Sequence, residues 1–151
     1  ESKKIHSNKI KLKFIGDTSI FTKPLQLKIK EIEKETFRNK RLVLNVALNY
    51  GGRLDIVNSV NKFYSNKKKI NKITENDINS GLYTKGLSDV DLLIRTGGQQ
   101  RMSNFLLWQS AYAELFFSKK LWPDFDEKLF VDALYFFQNT ERKFGSISKS
   151  I

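Results

Sequence analysis

The sequence predicts an α/β fold, a largely parallel sheet flanked by helices in an open, Rossmann-like arrangement. Three observations carry the prediction. Strand-like apolar runs at Ile10–Ile15, 42–48 and 90–96 alternate with segments of helical periodicity. Two of these runs end in glycine-rich turns, where open α/β sheets place their ligands. At 151 residues, 40% hydrophobic and with 12 Phe, the chain can bury a core of one domain, assigned to residues 1–151. Three strands are few for such a sheet, and the chain opens at Glu1 rather than Met, so a further amino-terminal portion is expected.

Taken in order, Ile10–Ile15 (IKLKFI) alternates and stops at the turn signal Gly16-Asp17. Pro24 suits a helix start, and Leu25, Ile29, Ile32 and Phe37 then recur near helical spacing until Asn39-Lys40. The run 42–48 (LVLNVAL) is almost wholly apolar, as a strand buried on both faces should be. It enters the turn 49–53 (NYGGR), followed by a helix carrying Leu54, Ile56, Val57, Val60 and Phe63. Residues 65–81 read as a polar excursion in which Thr74 starts a short helix. The run 90–96 (VDLLIRT) is the third buried strand, and Gly97-Gly98-Gln99-Gln100-Arg101 follows. A turn at 121–126 (LWPDFD) opens a last amphipathic helix using Leu129, Phe130, Ala133, Leu134, Phe136 and Phe137.

Composition removes several function classes. Without cysteine there is no disulfide framework, thiolate zinc site or cysteine nucleophile. The one histidine, His6, lies in a polar leader, away from any triad or histidine-built metal centre. No apolar run reaches the roughly 18 residues a spanning helix needs, and no signal-peptide pattern is present, so a cytoplasmic location is expected. The net charge of +11 falls wholly in residues 1–75, while residues 76–151 balance. These lysines are scattered among Asn and Ile, as in 66–72 (NKKKINK), without interleaved aromatics. We read them as solvated surface, with no nucleic-acid partner.

Arg95 is the anomaly, a permanent charge at the end of an apolar strand, where burial is costly without an anionic partner. Arg101 stands six residues on, beside an expected helix N-cap at Ser103-Asn104. Two guanidinium forks, a hydroxyl, glycine N–H groups and a helix N-terminus would suit a phosphate or diphosphate. The alternative reading pairs Arg95 with Asp89 or Asp91 and leaves Ser103 as a cap. Glu114 interrupts the run 111–117 (AYAELFF) and marks either a solvated edge or a cation ligand. A continuous helix from Ser103 would carry Glu114 about 16 Å away. A shared site therefore requires a break near 110–113 and a short strand, Glu114–Phe117.

These words resemble a family. Residues 91–117 (DLLIRTGGQQRMSNFLLWQSAYAELFF) and 121–127 (LWPDFDE) are similar to the carboxyl-terminal signature of the cis-prenyltransferases, bacterial undecaprenyl diphosphate synthases above all. Residues 44–53 (LNVALNYGGR), 15–17 (IGD) and 141–145 (ERKFG) fit earlier and later family blocks in order. The resemblance implies repeated cis condensation of isopentenyl diphosphate onto farnesyl diphosphate with Mg2+, giving a long polyprenyl diphosphate lipid carrier. It implies that Arg95, Arg101, Ser103 and the backbone at Met102 hold isopentenyl diphosphate. Glu114 becomes a magnesium ligand, and Asn49, Gly51, Gly52 and Arg53 shape the cleft. It also implies a homodimer touching the membrane peripherally through its lipid product. Two departures stand out. Gln99-Gln100 replaces the family's usual Glu-His, and the amino-terminal aspartate and asparagine blocks that carry catalysis have no counterpart here. The 151-residue chain is accordingly expected to be inactive alone. An accessory, non-catalytic subunit completed by a partner chain is the alternative.

Overall fold

The structure, a computed structural model, describes Ile5, residues 7–66 and residues 72–142. His6, the centre of the lysine cluster (67–71) and residues 143–145 lie outside the described residues. Two compact units form, Glu1–Gly86 and Leu87–Ile151, each built on a two-stranded parallel sheet with helices against it.

In the first unit, β1 (Ile10–Ile15) runs parallel to β2 (Leu42–Ala47), with Ile10 beside Leu42 and Ile15 beside Ala47. Their crossover is α1 (Lys23–Thr36), with proline in its first turn as expected. The edge of β1 away from β2 is closed by side chains. Leu12 N–H donates to Thr36 Oγ1 (3.1 Å), Phe14 N–H to Glu33 Oε1 (2.9 Å), and Asn39 Nδ2 to the Ile10 carbonyl (2.7 Å). Backbone donors that would otherwise invite another strand are thereby satisfied.

The expectation that 42–48 is buried on both faces does not hold. Leu42, Val43 and Leu44 are 52%, 37% and 45% exposed, because α1 lies against β1 and leaves them uncovered within this unit. The next helix, α2 (Gly52–Asn66), also departs from its apolar pattern. Its buried line is Gly52, Asp55, Ser59 and Phe63, whereas Leu54 and Val57 face outward. Two close approaches explain this. Ser59 Oγ donates to the Ile78 carbonyl (2.6 Å) in α3 (Glu75–Gly81), and a Cβ at Gly81 would sit 2.2 Å from Ser59 Oγ. Only small or hydrogen-bonded residues fit where these helices meet. The capping box of α3, Thr74 with Asp77, forms as its sequence predicts.

In the second unit, β3 (Leu92–Arg95) and β4 (Glu114–Phe117) pair in parallel. The expected break before Glu114 and the short strand after it are both present. Between the strands the chain runs in turns, and the helix expected from Ser103 does not form. Ser103, Asn104 and Leu106 have φ of 47°, 64° and 45°, left-handed values that no right-handed helix accommodates. A 3₁₀ turn (Trp122–Asp124) precedes α4 (Glu127–Gln138), whose N-cap Asp126 accepts from Leu129 N–H (2.9 Å). α4 packs on β4, with Phe136 5.6 Å from Phe116 between ring centroids and Ala133 fully buried. Beyond it, Arg142 pairs with Asp91 (2.7 Å) and donates to the Tyr112 carbonyl (3.3 Å), tying the segment after α4 to the base of β3.

Candidate anion-binding site

Four main-chain hydrogen bonds tie β3 and β4 together, one at their amino ends and three at their carboxyl ends. Ser118 N–H donates to the Arg95 carbonyl (2.8 Å) and Glu114 N–H to the Asp91 carbonyl (2.9 Å). Gly97 N–H reaches the Lys120 carbonyl (2.7 Å), and Gly98 N–H the Ser118 carbonyl (2.9 Å). Gly97 and Gly98 adopt φ of 86° and 75°, so glycine is required there by backbone conformation. This corrects one expectation. The two glycine N–H groups latch the turn to the chain after β4, and so are not offered to a ligand.

What the turn presents instead is guanidinium. Arg95 Nη1 donates to Ser103 Oγ (2.8 Å) and to the Arg101 carbonyl, so Arg95 folds the loop 101–103 back over its own strand end. Arg101 Nη1 donates to Gln99 Oε1 at 2.6 Å. Arg95 is half-buried, and Arg101 and Ser103 are exposed. Met102 sits half-buried between them, its carbonyl accepting from Phe105 N–H (3.1 Å). The carboxylate alternative for Arg95 is not taken up, since Asp91 is engaged by Arg142. Among the described residues no carboxylate is ion-paired with Arg95 or Arg101. Two guanidiniums held only by neutral acceptors on one short loop can exchange those contacts for phosphate oxygens.

Glu114 is placed elsewhere. It opens β4 beside Leu92, whereas Arg95 lies beside Phe117, three residues or about 10 Å further along the strands. Among the described residues no group of three Asp, Glu, His or Cys side chains could hold a metal ion. Glu114 alone would supply one carboxylate of magnesium's six-oxygen shell, which water and substrate phosphates ordinarily complete.

The other expected residues lie in the first unit, at the carboxyl ends of β1 and β2. Asn49, with φ of 46°, donates from Nδ2 to the Asp17 carbonyl (3.2 Å) and accepts Asp17 N–H on its own carbonyl (3.3 Å). Gly16 has φ of 111°, and a Cβ there would lie 2.1 Å from the Leu48 carbonyl oxygen. Gly51 accepts Asp55 N–H (2.9 Å), Gly52 is buried, and Arg53 is exposed. Sequence reasoning missed the residue that organises this turn. Asp55, 1% exposed, accepts from Tyr50 Oη (3.0 Å) and from Tyr83 N–H (3.0 Å). An aspartate at the first turn of a helix, five residues after a turn tyrosine, was the available signal. Hydrogen bonds from Ser19, side chain first and backbone N–H second, hold the Asp17 carboxyl below the ordinary aspartate value. A cavity of about 440 Å³ in this unit is lined by Ser59, Lys62, Phe63, Asp77, Ser80, Gly81 and Lys85, and holds none of the expected site residues.

Parallel strand ends carrying a cationic turn, with no carboxylate ion-paired to its arginines among the described residues, make an α/β fold with a candidate anion site. Residues 1–145 match the prenyltransferase family model described as "Putative undecaprenyl diphosphate synthase". The chain is 47% identical to the ditrans,polycis-undecaprenyl-diphosphate synthase, (2E,6E)-farnesyl-diphosphate specific, of Buchnera aphidicola subsp. Acyrthosiphon pisum, covering 99% of this chain and 61% of that protein. Its structure is similar to lavandulyl diphosphate synthase from Lavandula x intermedia in complex with dimethylallyl diphosphate. That TM-score is 0.90 at 35% identity, over 96% of this chain and 64% of that one. A "probable undecaprenyl diphosphate synthase" from Campylobacter jejuni gives 0.85 at 34% identity, over 96% and 67%. The chain belongs to the undecaprenyl diphosphate synthase family of prenyltransferases. It spans about three fifths of the length of the curated relatives it matches.

Proposed function

We propose that the protein elongates an allylic diphosphate, farnesyl diphosphate, by repeated cis condensation with isopentenyl diphosphate, and that this chain supplies the isopentenyl diphosphate site. One observation carries the proposal: Arg95 and Arg101 share a loop with Ser103 and meet only neutral acceptors. In each cycle the isopentenyl double bond attacks the allylic C1, the allylic C–O bond breaks, diphosphate leaves and a proton departs from the isopentenyl unit. Arg95, Arg101 and Ser103 would grip the isopentenyl diphosphate, with the backbone at Met102 between them, and so hold the alkene at a fixed distance from its electrophile.

Magnesium, expected from the resemblance, would find at most one ligand here, Glu114, and takes its remaining oxygens from diphosphate or from residues beyond these. Asn49 and residues 51–53 fix the strand-end turn of the first unit. The continuous match to 1–145 supports reading both units as one catalytic domain. A cytoplasmic homodimer with peripheral membrane contact through its lipid product extends the same proposal. Among the described residues no helix is long and apolar enough to cross a membrane.

The test is product formation from radiolabelled isopentenyl diphosphate and farnesyl diphosphate with Mg2+, for the full-length protein that carries this chain and for its Arg95→Leu/Arg101→Leu variant. The proposal expects long polyprenyl products from the parent and a loss of at least a hundredfold in kcat/KM from the double variant, in line with removing two charge-assisted contacts. Parent protein that binds isopentenyl diphosphate without turnover, but regains it with a partner chain, would favour the accessory-subunit reading.

A further inference from the structure

We infer that Gln99 is a positioning residue for Arg101, setting the guanidinium that receives the isopentenyl diphosphate through an uncharged oxygen; this rests on the functional reading above. Arg101 is exposed and long, and an arginine side chain free in water spreads over many rotamers. Here its Nη1 is fixed 2.6 Å from Gln99 Oε1, two residues away on the same loop. Gln99 itself follows Gly98, whose N–H is latched to the Ser118 carbonyl (2.9 Å), so the acceptor is mounted on a backbone anchored to β4.

The same loop is fixed from its other side by Arg95, through Ser103 Oγ and the Arg101 carbonyl. Main chain and side chain of Arg101 are thus set by separate partners. Gln99 Oε1 is one acceptor facing five guanidinium donors, so the remaining N–H groups stay available to an anion. What the arrangement requires at position 99 is an acceptor oxygen, and a carboxylate can serve as well as an amide. Losing it should cost ordering before binding, which appears in KM and not in the chemical step.

Two variants and a double-variant cycle test this in the full-length protein that carries this chain. Steady-state kinetics in isopentenyl diphosphate are read beside calorimetric binding of inorganic pyrophosphate, which needs no turnover. Gln99→Leu should raise KM and weaken pyrophosphate binding about fivefold to tenfold, the size of one hydrogen bond, with kcat within about twofold. Gln99→Glu, which keeps an acceptor oxygen, should recover most of that loss. In an Arg101→Leu background, Gln99→Leu should add nothing, since the group it positions is gone. A Gln99→Leu protein with unchanged KM, a loss confined to kcat, a Gln99→Glu loss as large as that of Gln99→Leu, or additive losses in the double variant would each overturn the assignment. Parent protein that binds neither isopentenyl diphosphate nor pyrophosphate would instead sink the functional reading.

Discussion

At the scale of single residues, the side chains that matter most are polar ones in places the apolar pattern assigns to leucine and valine. Asp55 is 1% exposed and Ser59 is fully buried, and each is spent on a specific partner: Tyr50 and Tyr83 for the first, Ile78 for the second. Replacing Asp55 by Ala removes the acceptor that both Tyr50 Oη and Tyr83 N–H use. Stability should fall by about 1–3 kcal/mol in urea unfolding, more than the surface change Leu54→Ala on the same helix. Equal effects of the two variants would contradict the buried line assigned to α2. Arg95 and Arg101 were legible at this scale because a fixed charge beside an apolar strand and a glycine pair has few bland explanations. The partners of Arg95 were not legible. They depend on left-handed backbone at Ser103, and nothing in the type of that residue announces it.

At the scale of elements, hydrophobic periodicity found β1, β2 and β3 within a residue or two, whereas the short β4 followed only from requiring a break before Glu114 for a shared site. It failed at α2, where helix–helix packing admits small residues and turns Leu54 and Val57 outward. It failed again after Arg101, where three non-glycine residues with positive φ replace a helix by turns. Closure of the β1 edge was invisible for another reason. Thr36 and Glu33 lie at the carboxyl-terminal end of α1, and their contacts with Leu12 and Phe14 span 24 and 19 residues. Thr36 is 2% exposed and relays its hydroxyl to the Ile32 carbonyl (2.9 Å) while accepting from the strand. Thr36→Val keeps the shape and removes both bonds, leaving Leu12 N–H without an acceptor. The unfolding free energy should drop by about 1–3 kcal/mol, with faster amide exchange at Leu12. Thr36→Ser, which keeps the hydroxyl, should protect Leu12 as the parent does. Unchanged exchange in the valine variant would show that the edge is closed by something other than Thr36.

At the scale of the whole molecule, the family match from residue 1 to 145 and the TM-scores of 0.85 and 0.90 give the frame, and the two units supply its contents separately. The second unit presents a cationic loop at the ends of parallel strands whose arginines meet no carboxylate among the described residues. The first presents a rigid turn around Asn49 and Asp55. Apolar surface at Leu42, Leu44, Leu54 and Val57 stays open in the first unit, and Phe130, Leu134 and Tyr135 stay open in the second. About two fifths of the relatives' own length lies beyond what this chain matches, so both the activity and this chain's diphosphate grip are proposals.

The most direct test of that grip is calorimetric titration of isopentenyl diphosphate into the purified protein and into its Arg95→Leu/Arg101→Leu variant, without farnesyl diphosphate. Micromolar binding by the parent, weakened at least a hundredfold in the variant while its unfolding midpoint moves by only a few degrees, is the predicted result. Equal affinities in the two proteins would show that the diphosphate is held elsewhere, and would contradict the site described at the ends of β3 and β4.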